Sequence, residues 1–317
     1  MSERFLMGLD LGGGGLRCLL VNPETLRVVT SYRPWTASPV PEVPMGIEYD
    51  AAGTWSVLGE VVREALERAE AAPEAILGVA ATSMRHGSAL LDADGHELLL
   101  ASNRDTRGLV ASIQIAGAHG EELHRRTGHW PNPVQPAGRL LHLSRETPEI
   151  FERAATHLSL SDWIAWRLCG ERVCEPSQAS ETLLFELEQP AWAWDWIERL
   201  ELPRAIFPEL RAAGSPLGEL ADAAAADLGL LAGTPVAVGG SDTQCGLLGA
   251  GVVAPGQLGV VAGTSVPVLQ VSDRPLLDEA GRLWGVHHVL PGRWALESNA
   301  GVAGETLEWI AELLYPE

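Results

Sequence analysis

Residues 4–22 read RFLMGLDLGGGGLRCLLVN, and the reading of this stretch decides the fold class. Phe5, Leu6, Met7 and Leu9 form an apolar run that ends at Asp10. Gly12, Gly13, Gly14 and Gly15 make a turn without side chains, residues 16–21 resume an apolar run, and Asn22-Pro23-Glu24-Thr25 close it with turn chemistry. Four consecutive glycines are costly in backbone entropy, so the chain needs bare backbone at this point. Closely spaced N–H groups in a tight turn suit a phosphate. A P-loop is excluded because it needs a lysine, and all 22 basic residues are arginine; lysine Schiff-base chemistry falls with it. A dinucleotide fingerprint needs G-x-G-x-x-G opening a long helix. Here Arg17 stands at the last glycine position, and the next segment is too short and too apolar for a crossover helix. Two readings remain, a β-hairpin whose tip faces phosphates and an ordinary glycine-rich hairpin. This stretch alone does not choose between them.

The chain has 317 residues, enough for two domains with sizeable cores. Hydrophobic residues make up 46% and charged residues 20%, a globular balance. A net charge of -20 argues against non-specific binding to nucleic acid or to an anionic membrane, which needs a basic surface. It leaves room for a nucleotide held by backbone amides and a metal ion. Cys18, Cys169, Cys174 and Cys245 show neither C-x-x-C spacing nor a histidine partner at zinc spacing. With no secretory signal and no apolar run of membrane length, a cytoplasmic protein with reduced thiols is expected.

Along the chain, residues 26–32 read as a third strand and residues 33–47 as a proline-rich loop. Residues 55–72 carry apolar side chains at helical spacing. A buried strand at 76–81 runs into Thr82-Ser83-Met84-Arg85-His86-Gly87, at the strand end where open α/β sheets place ligand groups. A hairpin is expected at 88–100, and helices at 108–126, 136–155 and 160–170, the last capped by Ser161 or Asp162. Trp192, Trp194 and Trp196 read as a packing cluster. The strand at 234–238 runs into Gly239-Gly240-Ser241-Asp242, where the two glycines are expected to leave room for a substrate. Residues 257–271, QLGVVAGTSVPVLQV, repeat the opening design of apolar strand, small-residue turn (Gly263-Thr264-Ser265) and apolar strand. An amphipathic segment at 300–316 ends the chain, and the second half reads as incomplete.

Two glycine-rich hairpins, one per domain, can grip a polyphosphate. Phosphoryl transfer then needs a bridging metal, charge-neutralising donors and a base that orients the attacking hydroxyl. Asp10, at the end of the first strand, can position Mg²⁺ through water. Asp242 reads either as an N-cap or as the base and second metal-side carboxylate; its place between two phosphate-loop candidates favours the base. Arg85 and His86 suit a polyhydroxylated acceptor, with a surface turn as the alternative, and His86 is a base only if Asp242 is not.

The segments GLDLGGGGLR, ATSMRHG, SNRDTR, LSDWIAWRLCGE, TPVAVGGSDTQCGLLGAG, PGQLGVVAGTS and ESNAGVAGETLEWI together resemble the FGGY carbohydrate kinases of the actin-like, hexokinase-type ATPase superfamily, over essentially the whole chain. The resemblance implies an α/β fold with RNase-H-like, mixed five-stranded sheets and flanking helices, as two domains around a cleft. Residues 1–247 would be the sugar-binding domain and 248–317 part of the nucleotide-binding one. It implies transfer of the γ-phosphoryl of ATP, with Mg²⁺, to a sugar or polyol hydroxyl, and it admits a homodimer. Asp242 falls on the catalytic base and Asp10 on the metal-proximal aspartate. Gly12 to Gly15 with Arg17, and Gly263, Thr264 and Ser265, fall on the phosphate-contacting turns. Arg85 and His86 fall on the sugar-contacting pair, with Asp105 and Thr243 also at the substrate. The motifs look most like autoinducer kinases, then xylulokinases. Three departures stand out. Gly13 and Gly14 replace the usual Thr or Ser, His86 replaces an acidic residue common in some branches, and the later glycine-rich segment that holds adenine is missing. A non-catalytic sugar-binding relative, or a fragment of a kinase, is therefore the competing expectation, with a phosphohydrolase of the same superfamily third.

Overall fold

The computed structural model describes residues 3–262, 265–299, 301 and 303–315. The opening stretch forms β1 (Phe5–Gly12) and β2 (Gly15–Val21), an antiparallel hairpin in which Gly12 pairs with Gly15 and Asp10 with Arg17. Phe5, Met7, Leu9 and Leu11 all point to one side of β1 and are buried there. The period-two pattern thus commits one face of the sheet to the core. β3 (Val28–Pro34) completes the meander. Helix α1 (Ala51–Ala69) covers this sheet with Leu58, Val61, Val62 and Ala65, each 0% exposed. It starts four residues before the apolar pattern because Asp50 caps it, accepting from the Gly53 amide at 2.8 Å.

β4 (Ile76–Ser83) runs parallel to β1. β5 (Ser88–Leu91) and β6 (Glu97–Ala101) form the expected hairpin, and β7 (Thr156–Leu158) joins them in a second sheet. Between β6 and β7 lie α2 (Leu109–Thr127) and α3 (Pro136–Glu146); the latter stops well short of residue 155 because Thr147-Pro148 starts a separate short turn of helix. Ser159, not Ser161 or Asp162, caps α4 (Leu160–Cys169), accepting from the Asp162 amide at 3.1 Å. The Asp162 carboxylate accepts from the Ser159 hydroxyl at 2.7 Å, a reciprocal box that keeps Asp162 structural. The tryptophan cluster packs as expected: Trp192 and Trp196 are buried, and Trp192 meets Phe185 and Phe207.

β8 (Pro216–Glu219), α5 (Asp222–Leu228) and β9 (Pro235–Ser241) follow. The main sheet has the order β8-β9-β4-β1-β2-β3, with β9, β4 and β1 parallel and the others antiparallel. This is the expected mixed five-stranded actin-like sheet with β8 added along one edge. Helix α6 (Asp242–Gly249) leaves β9 directly. The last sheet is antiparallel, ordered β10 (Leu258–Val260), β11 (Pro267–Ser272), β13 (Trp294–Asn299), β12 (Trp284–His287), with its own small core of Leu247, Leu269, Val271, Val286 and Ala295. The repeated hairpin is therefore real as a pair of strands, though Gly263 and Thr264 of its turn lie outside the described residues. Helix α7 (Ala303–Leu314) ends the chain with Leu307, Trp309, Leu313 and Leu314 exposed. Among the described residues no helix is long and apolar enough to cross a membrane.

Candidate active site

Register places the chemistry. Across the three parallel strands, Asp10 pairs with Thr82 and Thr82 with Gly240. Strands about 4.8 Å apart put the ends of β1 and β9 about 10 Å from each other, the span of a phosphate chain and an acceptor. All three strands end at one cleft of about 960 Å³. Asp10 lies two residues before the end of β1, Arg85 and His86 follow β4, and Asp242 follows β9, so the C-terminal strand ends supply the reactive groups. The third wall comes from the last sheet.

At one end of the cleft stand Gly12, Gly13, Gly14, Arg17 and, from the second hairpin, Ser265. Gly15 faces away from it. A Cβ there would lie 2.2 Å from the Tyr32 ring, so this glycine serves close packing and not a ligand. Gly14 has nothing within 4 Å of an added Cβ, and the nearest atom to one on Gly13 is Asn103 Nδ2 at 3.9 Å. Arg17 donates to Asp10 Oδ2 at 3.0 Å and lies over the Tyr32 ring. Asp10 Oδ1 is buried without a hydrogen-bond partner. Burial raises the Asp10 pKa, and Arg17 works against that rise. A buried orphan carboxylate oxygen between a glycine turn and a second acid fits a hydrated divalent cation.

At the other end stand Asp242, Thr243, Arg85, His86 and Trp284. Ser241 occupies the cap position of α6, so Asp242 is the first helical residue and is not spent as the cap. Asp242 Oδ1 accepts from the Thr243 amide at 2.6 Å and its hydroxyl at 3.1 Å. Burial pushes the Asp242 carboxyl up to about 6, Arg85 pulls against this, and Asp10 adds to the rise. It is ionised at neutral pH yet basic enough to take a proton. The neighbouring glycines have a different duty from the one expected. A Cβ on Gly239 would lie 1.5 Å from the Ala81 carbonyl, and one on Gly240 2.6 Å from Val289. The β9–β4 register shifts at this point, and the bulge turns the chain so that Asp242 faces the cleft.

Asp105 does not line the cleft. It is 0% exposed, and its carboxylate accepts from Arg107, Arg139 and the Ile47 amide. The member of the SNRDTR cluster that reaches the cleft is Asn103. His287 and His288 are structural: His287 Nε2 meets the Glu186 carbonyl at 2.9 Å, and His288 Nδ1 accepts from the Leu290 amide. Sequence reasoning missed Trp284, Asn299 and two buried acids, Glu181 and Glu297. Glu297 lies in the ESN segment already singled out, whereas nothing in the local pattern around Glu181 marks it.

A glycine hairpin and an acid on one mixed sheet, facing a second sheet across a cleft with a second acid between, define an actin-like, hexokinase-type fold. Residues 5–249 match the N-terminal domain of the FGGY family of carbohydrate kinases. The chain belongs to that family. It is 32% identical over 320 residues to an autoinducer-2 kinase from Salmonella paratyphi B, covering 100% of this chain and 60% of that protein. A xylulose kinase from Rhodospirillum rubrum superposes with a TM-score of 0.88 at 28% identity, covering 99% of this chain and 64% of that one. A gluconate kinase from Lactobacillus acidophilus shares the fold with a TM-score of 0.89 at 17% identity, covering 99% and 63%. The chain thus spans about three fifths of the length of these relatives.

Proposed function

We propose that the protein is an ATP-dependent kinase that transfers the γ-phosphoryl group to a hydroxyl of a small sugar, ketose or polyol, autoinducer-like or xylulose-like. The observation that carries this reading is the convergence of Asp10, the Arg85-His86 pair and Asp242 at the ends of three adjacent parallel strands in one cleft. Asp242 takes the proton of the acceptor hydroxyl as its oxygen bonds to phosphorus and the bond to the ADP oxygen breaks. Asp10 and Asp242 would hold Mg²⁺, which when bound neutralises phosphate charge. Gly12, Gly13 and Gly14 offer backbone to the phosphates, and Arg17 supplies a cation beside them. Ser265, from the second hairpin, lines the same cleft. Residues 1–247 and 248–317 are proposed as the acceptor-binding and nucleotide-side domains, which close on each other to exclude water.

The test is acceptor-dependent ADP release with Mg²⁺-ATP over a panel of pentuloses, polyols and linear dihydroxyketones. Release with none of them sinks the reading. A second reading, a sugar-binding relative without catalysis, draws on the hydroxyl-free turn at Gly13 and Gly14. Calorimetry that finds sugar binding without nucleotide binding supports it. The shared fold does not choose between a neutral and an acidic acceptor, since a xylulose kinase and a gluconate kinase both have it.

A further inference from the structure

At the acceptor end of the cleft, Arg85 is held in a buried charge cluster with two acids to which the proposed reaction assigns no role. Arg85 donates through Nη1 to Glu181 Oε1 at 3.1 Å, and through Nη1 and Nη2 to the two oxygens of Glu297 at 2.5 and 2.8 Å. The Arg85, Glu181 and Glu297 side chains are 8%, 1% and 0% exposed. Burial works against the charge of the guanidinium; the two carboxylates outweigh it and keep Arg85 firmly protonated. Burial pushes the Glu181 carboxyl up; Arg85 first, then His129 and His86, together outweigh it and hold the acid well below its ordinary range. The Arg85 guanidinium therefore faces two buried carboxylates, with Asp242 nearby.

The second oxygen of Glu181 faces two histidines. His86 Nδ1 lies 3.3 Å from the Glu181 carbonyl, and His129 Nδ1 lies 3.0 Å from the Thr127 carbonyl. Each Nδ1 must carry the proton to make those contacts. The Nε2 of each ring is then the atom turned toward Glu181 Oε2, at 3.7 Å from His86 and 3.4 Å from His129. Glu181 Oε2 and His129 Nε2 are both buried without a hydrogen-bond partner. Both terminal nitrogens of Arg85 are engaged by buried carboxylates, which leaves its charge little to offer a ligand anion.

We propose that Glu181 is a positioning residue that, with Glu297, neutralises Arg85 and so makes the acceptor end select uncharged polyhydroxy compounds and reject sugar acids. Hydroxyl groups donate to His86 and to Asp242, whereas a carboxylate brings only acceptors and a like charge. A carboxylate about 5 Å from one uncompensated buried charge loses roughly a hundred-fold in affinity at the effective dielectric of a protein site. The inference rests on the acceptor reading of the cleft.

The experiment is calorimetric binding, without nucleotide, of xylitol, D-xylulose and D-xylonate, which share chain length and differ in charge. The expected result is that the better neutral ligand binds at least ~30-fold more tightly than D-xylonate. In Glu181→Gln, checked for folding by its melting curve, the gap narrows about ten-fold through gain of xylonate binding. Glu297→Gln makes the same charge change from the other strand and decides if the first variant does not fold. Equal binding of D-xylonate and the neutral sugars by the wild type overturns the selectivity and leaves the kinase reading standing. An unchanged gap in the folded variants overturns the role of Glu181 and Glu297. Absence of binding by all three compounds removes the acceptor reading and this inference with it.

Discussion

Asp242 sits one residue inside the helix that it was a candidate to cap, and that offset leaves its side chain lining the cleft while Ser241 holds the cap position. The raised pKa, about 6, fixes a pH dependence. Below that value Asp242 is protonated and cannot accept the hydroxyl proton, so kcat/KM should fall on an acid limb near pH 6. Asp242→Asn should cut kcat by ~10²–10⁴ and erase that limb, with nucleotide affinity nearly unchanged; an identical pH profile in the variant would remove Asp242 from its role. Gly14 supports a second prediction. Neither Gly13 nor Gly14 adopts the left-handed backbone, and Gly14 opens on free space. Gly14→Ser should fold normally and tighten ATP binding about ten-fold through a hydroxyl donated to a charged phosphate, measured by calorimetry. Most of these residues were legible because a strand end followed by polar or small residues marks a ligand-facing position. Asp105 was misplaced because a two-residue difference in a turn decides which side chain faces out, and only the packing of Arg107 and Arg139 sets that. Glu181 was illegible because its partners Arg85 and Glu297 are 96 and 212 positions away along the chain.

Strands and amphipathic helices followed the hydrophobic period, because burial on one face imposes it. Boundaries moved where a cap or a proline intervened, as at Asp50, Ser159 and Pro148. The duty of Gly239 needed the neighbouring strand to be seen, since its closest approach is to the Ala81 carbonyl. The bulge that it permits aims β9 into α6. Gly239→Ala should therefore destabilise the fold by more than ~3 kcal/mol in a urea titration, because backbone and not a movable side chain stands in the way. A loss below ~1 kcal/mol would show that the bulge can relax.

At the scale of the molecule, buried acids behind the cleft set the pH response. Burial raises Asp162 to about 7 and Glu175 to about 8. A carboxyl raised in the folded state stabilises the fold fully below its unfolded pKa, and the contribution is lost as pH rises through the folded value. Stability should thus decline between about pH 5 and pH 8, with Tm falling by roughly 5 °C. Glu181 acts in the opposite sense at lower pH, since its carboxyl is depressed and its contribution is lost as pH falls. Asp162→Asn should flatten the neutral slope in melting curves taken at a series of pH values. A slope as steep as that of the wild type would assign the titration elsewhere. The two-sheet plan was legible from the repeated hairpin design, whereas the buried contacts between them, Arg85 to Glu297 above all, were not. The account as a whole stands on the cleft between those sheets being a phosphoryl-transfer site. The direct measurement is ADP release by the full-length gene product with Mg²⁺-ATP, with and without a neutral pentulose or polyol acceptor, for wild type and Asp242→Asn. The expected result is release that depends on the acceptor and disappears in the variant. Release that is absent with every acceptor, or that survives unchanged in Asp242→Asn, contradicts it.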